Sequence, residues 1–247
     1  MPIVIAAIRS IATYVAVSLY VLLVGAPFVA LALALGNPAI LYRVGDLGVR
    51  LGLFLSGITF TVDGSEHIDP SRAAVYAVNH ASNVEPPILF TALRAVHPRL
   101  RILYKAELRK LPVLVRAWDL AGFVPLERGN PEQSLPAIDR AAAALREGNS
   151  FMIFPEGTRS RTGALLPFKK GGFIMALKGG APIVPIAISG ARHAMRKGSF
   201  IIRPVRVRVR VAPPVETAGL EHDQRDQLIA GVRGAIEGML TADRPEG

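Results

Sequence analysis

Apolar positions crowd the start of the chain and then give way to alternation. From Ser10 to Tyr42 no residue is charged, a run of 33. As one continuous helix it would measure about 50 Å at 1.5 Å per residue, against a bilayer core of roughly 30 Å. Gly25 and Pro27 fall inside the run, and proline, lacking a backbone donor, kinks or ends a helix. The pattern therefore predicts an apolar helical hairpin turning at Gly25-Ala26-Pro27, with Arg9, Arg43 and Arg50 held at lipid headgroups. One kinked spanning helix is the second reading, and a cleaved signal peptide or buried core helix the third. Ala30-Leu31-Ala32 and Ala32-Leu33-Ala34 have the small-x-small form of a cleavage site, but the positive region ahead of the run is weak and the run continues past them.

After residue 57 short apolar runs rich in β-formers alternate with helical patterns. Strands are predicted near 58–63, 74–78, 101–105, 123–127, 150–154 and 182–188, with helices at 86–96, 107–119, 131–147 and 171–179. Such alternation predicts an α/β fold, a largely parallel sheet flanked by helices. The chain then divides into a membrane-associated helical segment, 1–57, and an α/β domain, 58–247. From Arg203 to Val211, arginines at 206, 208 and 210 alternate with valines, which puts the arginines on one face of a half-buried strand. That face is either solvated, edge-protecting charge or a surface for anionic lipid or substrate. A last amphipathic helix over about 221–241 covers the sheet.

Composition sharpens this picture in two ways. The hydrophobic share of 51% and the mean hydropathy of +0.36 are high for a soluble protein and point to contact with lipid. Lys and Arg exceed Asp and Glu by 29 to 19, a net charge of +10, which draws the chain to phosphate on nucleic acid or on an anionic leaflet. No nucleic-acid motif is present, and the uncharged run favours lipid. The absence of cysteine excludes disulfides, thiolate metal sites and a cysteine nucleophile.

Two constellations carry candidate chemistry. The predicted strand Ala74–Val78 runs into Asn79-His80-Ala81-Ser82-Asn83-Val84-Glu85-Pro86-Pro87, placing a histidine at a strand's C-terminal end, where open α/β sheets carry their sites. Because a residue before proline is pushed out of the helical region, Glu85 is expected in the loop, with the prolines opening the next helix. A carboxylate on one imidazole nitrogen fixes the tautomer and makes the other nitrogen a better base; the spacing alone also fits a structural histidine. The second constellation is Phe151 to Ser160, an apolar strand stopped by Pro155 and followed by Glu156-Gly157-Thr158-Arg159-Ser160. Gly157 permits close backbone approach, Arg159 can grip a phosphate, and Thr158 and Ser160 add hydroxyls. Glu156 either binds a glycerol hydroxyl or holds Arg159. An ordinary turn with a solvated arginine is the alternative. Lys169 and Lys170 precede a helix N-terminus, which also favours anions, though such a pair is as readily a solvated face.

In order along the chain these blocks resemble the PlsC-like glycerolipid acyltransferases, over about residues 60–215. Asn79-His80-Ala81-Ser82 with Glu85 is similar to that family's His-x4-acid block, which implies that His80 is the base. Gly122 to Arg128 is similar to the second block, which implies phosphate binding by Arg128. Phe154 to Ser160 is similar to the third, which implies that Glu156, Gly157 and Arg159 contact the acceptor's glycerol phosphate. Val184 to Ile188 is similar to the fourth, a strand on the acyl or thioester side. Lys105, in a Lys-x-Glu-Leu stretch, is implied to help bind the carrier or the oxyanion. The family usually has Asp where this chain has Glu85, one methylene longer, so the same hydrogen bond requires a shifted loop or rotamer.

The resemblance implies transfer of a fatty acyl group from acyl-CoA or acyl carrier protein to 1-acyl-glycerol-3-phosphate. It implies no metal and no cofactor beyond that co-substrate, and the partners are membrane lipids, a lysophospholipid acceptor and the thioester donor, with no nucleic acid. It also implies an active site on the cytoplasmic face of a membrane; arginines flank both ends of the apolar run, so charge bias decides little. Other acceptors for the same chemistry are glycerol-3-phosphate, another lysolipid or an acylated amino-acid lipid. A non-catalytic lipid-binding protein is the reading from another class.

Overall fold

A computed structural model describes residues 3–110, 112–127, 131–196, 198–220 and 224–243. The N-terminal run does not turn at Gly25-Ala26-Pro27. Helix α1 (Ile3–Tyr20), a π-helical turn (Val21–Gly25) and α2 (Ala26–Leu35) follow one another as a single 33-residue helix, long and apolar enough to cross a membrane. The π turn is the reason. Its wider ring, closed by the Ala26 N–H to the Val21 carbonyl, reseats the hydrogen-bond ladder where Pro27 has no donor to contribute.

The chain reverses ten residues later. Gly36 takes the left-handed conformation (φ 60°), the Asn37 side chain accepts from Ala39 N at 3.0 Å, and Pro38 opens α3 (Pro38–Ser56). This is a C-cap glycine, an N-cap asparagine and an N1 proline in succession. Helix α3 runs back along α1: Tyr20 OH donates to Val44 O at 2.8 Å and Arg9 Nε to Leu55 O at 2.8 Å. Close packing requires a glycine at 48, where a Cβ would lie 2.6 Å from the Tyr20 ring.

The remaining elements are β1 (Thr59–Asp63), β2 (Val75–Val78), α4 (Glu85–Ala92), β3 (Leu100–Lys105), α5 (Pro112–Leu120), β4 (Val124–Leu126), α6 (Pro131–Arg146), β5 (Ser150–Ile153), α7 (Gly171–Gly179), β6 (Ile183–Ser189), α8 (Ala191–Ala194), β7 (Arg206–Val211) and α9 (Arg225–Ala242). The seven strands lie in the order β1-β7-β6-β2-β5-β3-β4. Neighbours are parallel except β6 and β7. This is the mostly parallel, helix-flanked sheet expected. Strand β2 is buried on both faces, as a central parallel strand must be. Tyr76 and Val78 pack toward Tyr42 and Leu53 of α3 and Ile88 and Leu89 of α4, while Val75 and Ala77 face Ala141 of α6, Phe173 of α7 and Val232 of α9. On β7 the valines are buried and the arginines outward. The strand is interior to the sheet, so its charge protects no edge: Arg208 pairs with Asp63 at 2.6 Å, and Arg210 pairs with Asp243 at 2.7 Å.

Candidate active site

Because the strands are parallel, their C-terminal ends bring the candidate loops to one edge of the sheet. Strand β2 lies between β5 and β6, so the His80 loop rises beside the loop that follows β5. Asn79, the residue after the strand, anchors it: its Nδ2 donates to Ile188 O at 3.0 Å and its Oδ1 accepts from Ile188 N at 2.8 Å. That clasp extends the β2–β6 pairing by one side chain and sets where His80 begins.

His80 and Glu85 meet. Glu85 Oε2 lies 2.7 Å from His80 Nδ1, and its two oxygens accept from Ala81 N at 3.0 and 2.9 Å. Glu85 is not in the loop as its place before a proline predicts; it is the first residue of α4. In the first turn of a helix no backbone donor is lost to Pro86 or Pro87, and the helix N-terminus favours the carboxylate there. With Glu85 ionised, its bond requires a proton on Nδ1, which leaves the lone pair on Nε2. The Glu85 side chain is 1% exposed and that of His80 16%. The imidazole stacks on Phe154, centroids 4.1 Å apart, which restricts its rotation.

The loop after β5 is bound to His80 from both sides. His80 N donates to Glu156 Oε1 at 2.6 Å, and Ser160 N donates to His80 O at 2.7 Å. The other Glu156 oxygen accepts from Leu166 N at 2.9 Å. Burial raises the pKa of the Glu156 carboxyl, opposed by the Leu166 and His80 N–H groups. Between the two clamps, Gly157, Thr158 and Arg159 form the turn, with Thr158 exposed and Gly157 and Arg159 half-buried. Gly157 has φ 68°, and a Cβ there would lie 2.8 Å from Lys169 Cε. Lys169 thus lays its stem over the turn, while Lys170 pairs with Asp226 of α9 at 3.3 Å. Gly157→Ala is expected to cost about 1–2 kcal/mol for the left-handed backbone alone, seen as a lower Tm together with reduced turnover.

Residues 59–189 match the acyltransferase family. The chain belongs to that family. A 1-acyl-sn-glycerol-3-phosphate acyltransferase from Limnanthes douglasii is 33% identical over 223 residues, covering 88% of this chain and 78% of the relative. The 1-acyl-sn-glycerol-3-phosphate acyltransferase alpha of Mus musculus is 32% identical over 193 residues, 77% of this chain and 66% of the relative. The fold is that of the 1-acyl-sn-glycerophosphate (LPA) acyltransferase PlsC from Thermotoga maritima, with a TM-score of 0.83 over the whole of both chains at 23% identity.

Of the residues of this acyltransferase singled out in its sequence, one stands apart from the His80 cluster. Lys105 ends β3, on the far side of β5, and pairs with Glu107 at 2.8 Å, both about half exposed. Arg128 lies outside the described residues. Asn79 and Phe154, both inside the motifs, contact the His80 loop without having been assigned a role there; Lys169, read with Lys170 as a pair before a helix N-terminus, instead lays its stem over the Gly157 turn. An apolar cavity of about 740 Å³ opens between the helical hairpin and α4 and α5, lined among others by Tyr20, Val49, Val84, Pro87 and Trp118. Val84 and Pro87 flank Glu85, so the cavity reaches the helix that carries the carboxylate.

Proposed function

We propose that the enzyme transfers a fatty acyl group from a thioester carrier to the free hydroxyl of 1-acyl-glycerol-3-phosphate, forming phosphatidic acid. The observation that carries this reading is the 2.7 Å His80–Glu85 pair clamped against a turn that holds Arg159. His80 Nε2 takes the hydroxyl proton as the oxygen attacks the thioester carbonyl. The tetrahedral intermediate collapses, the C–S bond breaks, and the departing thiolate receives the proton from His80. No acyl-enzyme is required. Glu85 holds the tautomer and stabilises the imidazolium that forms between the two transfers.

Thr158 and Arg159, with backbone N–H groups around Gly157, bind the acceptor phosphate. Arg128 and Lys105 are assigned a share in phosphate and carrier binding by their places in the motifs. Glu156 acts by positioning the His80 backbone. The cavity beside α4 is long-chain space, apolar and contiguous with the hairpin, and acyl chains enter it from the bilayer. The 33-residue apolar helix associates the enzyme with that membrane, with the site on its cytoplasmic face. Both acyl-CoA and acyl carrier protein present the same thioester to His80, and either serves as donor in this scheme.

Purified enzyme in detergent, given an acyl thioester and 1-acyl-glycerol-3-phosphate, is expected to form phosphatidic acid and free thiol in equal amounts. Parallel reactions with acyl-CoA and acyl carrier protein identify the donor. Faster acylation of glycerol-3-phosphate or of a lysolipid without a phosphomonoester would overturn the acceptor assignment.

A further inference from the structure

Between Glu156 and Glu216 the sequence contains twelve lysines and arginines and no acidic residue. The whole of the chain's excess positive charge therefore lies in this stretch. Part of it is used internally, by Arg208 and Arg210 with Asp63 and Asp243 and by Lys170 with Asp226. Another part flanks the loop from Ala194 to Arg203, where Arg196 and Arg206 are exposed and Arg203 half-buried.

At the tip of that loop Phe200 is 82% exposed, more than any other large apolar side chain among the described residues. It is not there for want of order. Arg203 N donates to Ala194 O at 2.9 Å and closes the loop, and Ser199 N donates to Arg196 O at 3.0 Å within it. The loop is then pinned to α1: Ile202 N donates to Ser10 Oγ at 2.8 Å and Tyr14 OH to Phe200 O at 2.9 Å. These bonds hold the ring outward beside the exposed apolar face of α1, where Ile11 is 63% exposed one turn from Tyr14. At its other end the loop touches the catalytic segment, with Ser82 Oγ donating to Met195 O at 2.7 Å.

An outward aromatic ring on a loop that carries and is followed by arginines, beside an apolar helix face, is the chemistry of an anionic lipid surface. We propose that this loop is a second membrane contact, in the α/β domain itself. Phe200 enters the acyl region, and Arg196, Arg203 and Arg206 meet anionic headgroups. The contact fixes the height of the His80 loop above the bilayer independently of how α1 is seated. It rests on the membrane association proposed above.

The chain has no cysteine, so Phe200→Cys and Ile11→Cys each accept one environment-sensitive fluorophore on an otherwise intact protein. Both are reconstituted into phosphatidylcholine bilayers with and without phosphatidylglycerol, using lipids brominated on the acyl chain as quenchers and iodide as the aqueous one. The expected result is quenching of the residue-200 label by brominated lipid, protection from iodide, and loss of that lipid quenching on adding Arg196→Glu in the phosphatidylglycerol bilayers. Quenching at residue 11 with free iodide access at residue 200 would overturn the second contact and leave the anchor standing. Absence of lipid quenching at both would overturn membrane association itself. Protection from iodide at residue 200 without lipid quenching would mean a protein covers the loop and would also overturn the proposal.

Discussion

His80→Ala is expected to lower acyl transfer by about 10²–10⁴-fold, the range supplied by a positioned general base, with the chain still folded and still in the membrane fraction. The ring is near the surface of the site and its removal leaves the backbone clamps to Glu156 and Ser160 in place. Turnover is read as thiol release at saturating acceptor, beside circular dichroism of the same sample. Activity within about tenfold of the parent would exclude His80 as the base. The partner residue gives a graded companion result. Glu85→Gln removes a charge-assisted hydrogen bond that contributes about 1.5–3 kcal/mol, or roughly 10- to 150-fold in rate. Glu85→Asp, although it restores the family's usual residue, shortens a side chain that now reaches Nδ1 from the first position of α4. It is expected to lose activity as well, because a carboxylate one methylene shorter cannot reach both His80 Nδ1 and Ala81 N from that position without moving the backbone.

That exchange illustrates which features were legible in the sequence. Period-two and helical patterns located every strand of the sheet and most helices to within a few residues, since burial on one or both faces leaves a direct trace in residue type. The site's edge was legible for the same reason: in a parallel sheet, a motif that follows a strand must emerge at the C-terminal side. What the pattern did not yield were features set by backbone hydrogen bonds across distant segments. Pro27 looked like the hairpin turn because a π turn that carries a helix past a proline has no residue signature. The true turn at Gly36-Asn37-Pro38 did have one, in cap residues that lie inside the same uncharged run. The clasp of Asn79 on Ile188 and the stacking of Phe154 on His80 were likewise hidden, because they depend on β2 lying between β5 and β6, and strand order is not written in local periodicity.

Glu156 is the sharpest case of a role that only the folded chain reveals, and its substitution has the second large expected effect. A carboxylate contacting the acceptor should tolerate an isosteric amide in the free enzyme and show a raised KM. Here the side chain is buried and both its oxygens accept from part-buried backbone donors, His80 N at 2.6 Å and Leu166 N at 2.9 Å. In Glu156→Gln one of those N–H groups must face an amide NH₂, and donor against donor leaves a buried group without its hydrogen bond at a cost of about 1–3 kcal/mol. For a chain of this size that corresponds to a fall in Tm of roughly 2–4 °C per kcal/mol. Because one of the two donors is the backbone of His80 itself, the displacement reaches the base, and kcat is expected to fall with the stability while KM for the acceptor changes little. The opposite pattern, an unchanged Tm with a raised KM, would return Glu156 to the acceptor's glycerol hydroxyl and remove it from the frame that holds His80.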